Sequence, residues 1–197
     1  MEDKNQSANQ SANQSVNGLP QVIYKSMISP DLHEEILTYY RAKESTLEYV
    51  KGSSAFPLRR QIREIPDTLA GELARQLKIT MSQYYTVFEP NEKNIRIYQS
   101  NYGITKPHRD IPSYPSDTHT CLIYLTDEFT GGVLSVKLPR EEGHIQEFGS
   151  PELHHLNITA EPRVMYGIIF PKDTIHYTDE LLEGDKIILL IDCQIMY

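Results

Sequence analysis

After about residue 80 the chain carries no helical periodicity. It becomes a series of short runs rich in β-branched and aromatic residues, cut apart by Gly, Pro, Asn and Asp. The runs lie at 83–88, 94–102, 120–126, 132–137, 145–148, 163–170, 174–178 and 186–192. Each is strand-length and bounded by residues that turn the backbone. Strands this short must pair with one another and bury a shared face. The pattern therefore predicts a β-sandwich or a jelly roll of two sheets.

The region before it reads differently. Residues 1–18 repeat Asn-Gln-Ser-Ala and lack the apolar groups that would offset the entropy of ordering, which predicts a disordered tail. Gln21-Val22-Ile23-Tyr24-Lys25 reads as a short strand. Ser29 is then a suitable N-cap and Pro30 a suitable first helical residue. Leu32, Ile36, Leu37 and Tyr40 recur at helical spacing through about Lys43, and a second helix after Asp67 carries Leu69, Leu73 and Leu77. These are expected to be supporting helices packed on a sheet. The expected organisation is one domain over 19–197, with helical support over 19–80 and a β core over 81–197. A chain of 197 residues and 22.7 kDa suits that size.

A net charge of -8 and a pI near 5.4 argue against a broad nucleic-acid surface. The one basic cluster, Leu58-Arg59-Arg60-Gln61-Ile62-Arg63, reads as a solvated loop or helix start. No apolar run approaches a membrane span and no secretory leader is visible. Cys121 and Cys193 fall in apolar runs and read as reduced core residues. The expected compartment is the cytoplasm.

Within this frame His108-Arg109-Asp110 stands out. Alternate residues of an extended segment face the same way, so His108 and Asp110 project together and Arg109 projects oppositely. A neutral imidazole beside a carboxylate offers a divalent metal two cis ligands, and one further His completes a 2-His-1-carboxylate set with open positions. Of the other histidines, His33 lies on a helix where solvent can reach it. His119 borders a strand. His144, His154 and His155 fall in a Gly/Pro/Glu-rich insert, where adjacent His154 and His155 make a poor zinc pair. His176 precedes a turn and a strongly apolar last strand. Lys186 opens that strand, ten residues on. A hairpin through 180–184 would set 176 and 186 opposite each other, at ~4.5–5.5 Å between Cβ atoms. A lysine in an apolar strand needs an anion, from the protein or from a ligand.

His108-x-Asp110, a distal His176 and a basic residue ten positions later together resemble the Fe(II)/2-oxoglutarate-dependent dioxygenases. Lysine at that last place is similar to the prolyl 4-hydroxylase branch. Asn101-Tyr102-Gly103-Ile104-Thr105-Lys106-Pro107-His108-Arg109-Asp110 resembles that branch's approach to its first iron ligand, shortened by a few residues. Thr120-Cys121-Leu122-Ile123-Tyr124-Leu125-Thr126 and the later Gly131-Gly132 resemble its following strand and paired glycines. The likeness runs from about Arg96 to Asp192.

The resemblance implies a double-stranded β-helix (jelly roll, cupin-like) core. It implies Fe(II) on His108, Asp110 and His176, with 2-oxoglutarate chelating the metal and its distal carboxylate on Lys186. Thr120 and either Tyr98 or Tyr102 would assist the co-substrate. Dioxygen is the oxidant, and the resemblance leaves room for ascorbate as accessory reductant. Two imidazoles and one carboxylate leave the metal site with a net charge of about +1, which suits an anionic chelator. Asp110 also separates this chain from related halogenases, which carry a small residue there, and points to hydroxylation. The implied substrate is a prolyl residue in a peptide or protein. A free amino acid or other small metabolite is the alternative, and a non-catalytic binding or sensing module a further one.

Overall fold

In the computed structural model, residues 14–16, 19–51, 58–139 and 155–196 are described. The chain begins with β1 (Gln14–Val16), β2 (Leu19–Ser26), α1 (Pro30–Glu44), β3 (Val50–Lys51), β4 (Leu58–Ile62) and α2 (Asp67–Met81). Then follow β5 (Val87–Ser100), β6 (His119–Tyr124), β7 (Phe129–Gly131), β8 (Leu134–Pro139), β9 (His155–Ala160), β10 (Tyr166–Pro171), β11 (Ile175–Thr178), β12 (Leu181–Gly184) and β13 (Lys186–Met196). A major sheet runs β1-β2-β10-β6-β13-β5-β4-β3, faced by β11-β8-β9 and by the pair β12-β7. Every pairing is antiparallel. Two facing antiparallel sheets behind N-terminal helices make the jelly roll expected.

The major sheet is covered on both faces, and strand alternation decides which residues go where. Ile95, Ile97, Leu189, Ile191, Cys121 and Ile123 point outward into a large core shared with α1 and α2. Leu122, Tyr124, Ile168 and Phe170 point inward against Leu134, Val136 and Ile158 of the smaller sheet. This double burial is why β6, His119–Tyr124, is buried at every residue and reads as continuous rather than alternating.

Both helices form where their apolar stripes predict. The Ser29 hydroxyl accepts from Leu32 N, Pro30 opens α1, and Leu32, Ile36, Leu37 and Tyr40 are buried. On α2, Leu69, Leu73 and Leu77 are buried. Gln76 of α2 ties the helices together: it accepts from Ser29 N at 2.9 Å and donates to Ser29 Oγ at 3.1 Å.

Several expectations are corrected. Of the run 83–88 only Val87 and Phe88 are strand, and they continue with 94–100 as one strand, β5, because the turn-like Pro90 is absorbed at a bulge where Cys193 opposes it. The strand expected over 163–170 starts only at Tyr166, since Met165 sits at φ 67. The basic cluster 58–63 is mostly the strand β4, not a loop or helix start. Its register against β5 turns Arg60 and Ile62 toward the helices and Arg59 and Gln61 toward the sandwich interior. A strand, β1, reaches into the segment read as a tail, pairing Gln14–Val16 with β2. His33 is half-buried, with its Nε2 2.8 Å from Leu125 O. The expected strand 145–148, His144, His154, the side chain of His155 and the rest of residues 1–18 apart from 14–16 lie outside the described residues.

Candidate metal centre and pocket

Residues 101–110 belong to no named strand, yet they are zipped along 172–181. Leu181 N donates to Gly103 O (2.9 Å), Thr105 N to Thr178 Oγ1 (3.1 Å), and Thr178 N to Thr105 O (3.1 Å). His108 and His176 exchange both backbone hydrogen bonds, at 3.1 and 3.0 Å, and Asp110 N donates to Lys172 O at 3.0 Å. Directly opposed residues of an antiparallel pair project to the same face, and so does the residue two positions on. Geometry therefore delivers His108, His176 and Asp110 to one side of this ladder. The hairpin expectation is overturned. The residue opposite His176 is His108, while Lys186 starts a strand of the other sheet, paired with Ser100 of β5.

The three ligating groups lie within 4.8 Å of one another. Asp110 Oδ1 is 3.7 Å from His108 Nε2 and 3.6 Å from His176 Nε2, too far for hydrogen bonds. Each ring is held from behind by a carbonyl: His108 Nδ1 lies 2.9 Å from Lys106 O and His176 Nδ1 3.0 Å from Thr174 O. A carbonyl only accepts, so Nδ1 carries the proton and a neutral ring turns its Nε2 lone pair toward the other donors. Burial pushes the His176 imidazole below its ordinary pKa, with Asp110 opposing, which favours that neutral form. The other Asp110 oxygen, Oδ2, accepts from Thr120 Oγ1 at 2.6 Å. Two aimed imidazole nitrogens and one oriented carboxylate oxygen form a donor set that fits a divalent transition metal with open positions.

These groups border a cavity of about 430 Å³ inside the sandwich. Lys186 lines it too, 6% exposed. Its Nζ donates to Gly132 O and lies 5.7 and 5.8 Å from the centres of the Tyr124 and Phe129 rings. Among the described residues no carboxylate is within ion-pair distance of it. Burial lowers its pKa to about 8, against a weaker opposing pull from Asp179. The paired glycines are required here. A Cβ on Gly131 (φ +77) would stand 1.9 Å from Glu180 O, and one on Gly132 (φ +65) would press on Leu181 and Lys186.

Tyr98, 6% exposed, lines the cavity beneath the Arg59 guanidinium, which stacks 4.2 Å above its ring centre. Tyr102, 49% exposed, is not among the residues that line it. Thr120 donates to Asp110 and is not among the residues lining the cavity. Arg109 is exposed at the mouth.

Sequence reasoning missed a buried polar network beside the triad. Asp192, fully buried, accepts from Lys172 Nζ at 2.6 Å, Arg96 at 2.9 Å, Ser113 Oγ at 2.8 Å, and also from Asn94. A carboxylate ending the run Ile187-Ile188-Leu189-Leu190-Ile191 was the available signal, since it must have partners. Cys121 and Cys193 are buried free thiols, as expected.

No family model and no curated protein matches the chain. Solved structures do. A prolyl-4-hydroxylase from Pseudomonas putida superposes with a TM-score of 0.62 at 12% identity, covering 90% of this chain and 94% of that one. An oxidoreductase of the 2OG-Fe(II) oxygenase family from Burkholderia pseudomallei gives 0.62 at 13%, covering 88% and 85%. The non-haem α-ketoglutarate-dependent epimerase SnoN of nogalamycin biosynthesis gives 0.60 at 17%, covering 88% and 78%. The chain thus has the jelly-roll fold that these oxygenases share.

Proposed function

We propose that this protein is an Fe(II)- and 2-oxoglutarate-dependent dioxygenase that hydroxylates a C–H bond. One observation carries the reading. Three metal-ligating groups converge on one wall of the cavity, and a buried lysine with no carboxylate partner among the described residues stands on the facing sheet.

In this reading His108, Asp110 and His176 hold Fe(II) on one face and leave the cavity side open. When bound, the metal with 2-oxoglutarate and dioxygen supplies the oxidising chemistry, giving succinate, carbon dioxide and a hydroxylated substrate. The chain's own residues position the participants. Lys186 neutralises the distal carboxylate of 2-oxoglutarate as a point charge that needs no planar fork. Tyr98 flanks the same space. Thr120 fixes the rotation of the Asp110 carboxylate, and the Lys106 and Thr174 carbonyls fix the imidazole tautomers. Leu122, Leu134, Ile188 and Leu190 line the cavity with apolar surface that keeps water from the reacting centre.

The prolyl residue of a peptide is the first substrate to test, on the strength of Lys186 and of the prolyl hydroxylases among the similar structures. A free amino acid or other small metabolite is the second reading. It is favoured by the cavity of about 430 Å³, within the ~300–1,000 Å³ of small-molecule sites, and by the equal likeness to an epimerase. Anaerobic addition of Fe(II) and 2-oxoglutarate should produce a visible charge-transfer band that His176→Ala abolishes. A band indifferent to His176→Ala overturns the metal assignment. Succinate formation with prolyl peptides and with free amino acids then separates the two substrate readings.

A further inference from the structure

The charge of the cavity runs against the charge of the chain. The protein has 27 acidic and 19 basic residues, yet the cavity is lined by Arg59, Arg96, Arg109, Lys172 and Lys186 and by Asp110 as its sole carboxylate among the described residues. Buried Asp192 engages Arg96 and Lys172 together, so one negative charge faces two positive ones. With a divalent metal on the triad and a dianionic co-substrate bound, the cavity would still hold excess positive charge.

Two of these cations share one face of the major sheet. Arg59 projects inward from β4 and Arg96 from the adjoining β5, on the face that also carries Tyr98 and Ser100. Arg59 is close enough to Arg96 and Arg63 to be disfavoured by both. Arg96 Nε is buried with no hydrogen-bond partner among the described residues. Two guanidinium groups that repel one another, Arg59 seated over the Tyr98 ring and Arg96 keeping a buried donor at its Nε, are suited to an oxyanion. Lys186 stands on β13, across β5 from Arg59 on β4, so an anion at the arginines would have a place beside that of the co-substrate carboxylate.

We propose that the substrate of this cavity carries an oxyanion, a carboxylate or a phosphate, and that Arg59 and Arg96 grip it while Arg109 meets it at the mouth. The inference rests on the oxygenase reading for the place of metal and co-substrate, but the anion site itself does not depend on it. A substrate so held would be a small acid or a chain terminus, rather than the interior of a neutral peptide.

The test uses the full chain loaded with Mn(II) and 2-oxoglutarate, which binds without turnover. The probes are N-acetyl-L-proline with its amide, benzoate with benzamide, and inorganic phosphate, followed by ligand-observed NMR. At least one anion should bind about tenfold more tightly than a neutral partner. Preference for the carboxylates or for phosphate tells which oxyanion the site takes. Arg59→Gln should erase that preference and leave 2-oxoglutarate affinity within about twofold. Lys186→Met should do the reverse, and Arg59→Lys should retain part of the preference. Thermal melts check that each variant is folded. Equal binding of acids and amides overturns the proposal, as does a loss of 2-oxoglutarate binding in Arg59→Gln, which would give the arginines to the co-substrate. If Mn(II) does not bind, the oxygenase reading fails, and the same titrations on metal-free protein still decide the anion site.

Discussion

At Asp110 one carboxylate oxygen faces two imidazoles while the other accepts from Thr120, so a single side chain divides its lone pairs between the candidate metal site and its support. Thr120→Val keeps the volume and removes that support. Metal affinity, read by Mn(II) titration, should fall about 10–100-fold, the usual cost of losing such a partner; an unchanged affinity would remove Thr120 from the site. Lys186 makes an opposite bargain, since its buried ammonium disfavours the ligand-free fold in return for a charge ready to meet a carboxylate. Lys186→Met should therefore raise the ligand-free melting temperature while the 2-oxoglutarate requirement rises steeply. The pH signs follow. In the proposed oxygenase only the ammonium form of Lys186 would attract 2-oxoglutarate, so affinity should weaken as pH rises through about 8. Between about 8 and the ordinary value of 10.5 the unfolded chain binds the extra proton, so ligand-free stability should rise with pH in that window. The pair His108 and Asp110 was legible in the sequence because the two share a face at spacing two, and His176 joined them only through the family resemblance. Tyr98 was not separable from Tyr102, because whether a strand ends before or after a tyrosine decides its exposure.

At the scale of elements, α1 and α2 were legible and the edge strands were not. A helical stripe such as Leu69, Leu73 and Leu77 reports its own partner face. β4 carries Arg59, Arg60 and Gln61, and its strand character comes from pairing with β5 rather than from its residues. Leu73 is fully buried beneath the sheet, so Leu73→Ala should cost about 2–5 kcal/mol by urea denaturation, while Mn(II) affinity of the folded protein is unchanged. The β7–β12 connection is a different case. Gly131→Ala would force a side chain into a left-handed conformation and into Glu180 O, costing at least ~1–3 kcal/mol and loosening the carbonyl that holds Lys186. Its signature is a lower melting temperature together with weaker 2-oxoglutarate binding, which Leu73→Ala should not share.

Over the whole molecule, the major sheet is the common wall between a structural core and the cavity beside the candidate metal site. β5 and β13 send alternate residues to the helices and to the pocket, so stability and chemistry are written on the same strands. Metal loading should therefore stabilise the entire fold. At a free metal concentration 100 times the dissociation constant the gain is ~2.7 kcal/mol, which for a chain of this size shifts the melting temperature by roughly 5–10 °C. His176→Ala should show no such shift. By itself the amino-acid order determined the alternation, the helical stripes and the kinds of ligand, because these are local: a period of two or 3.6 is set by backbone geometry at each residue. Which histidine lies opposite His108, that Lys186 faces the triad from another sheet, and that Arg59, Arg96 and Asp192 share the triad's surroundings were decided only by tertiary structure. Those neighbours are brought together by strand register across dozens of residues of chain, and register is a property of the paired sheet rather than of any one strand.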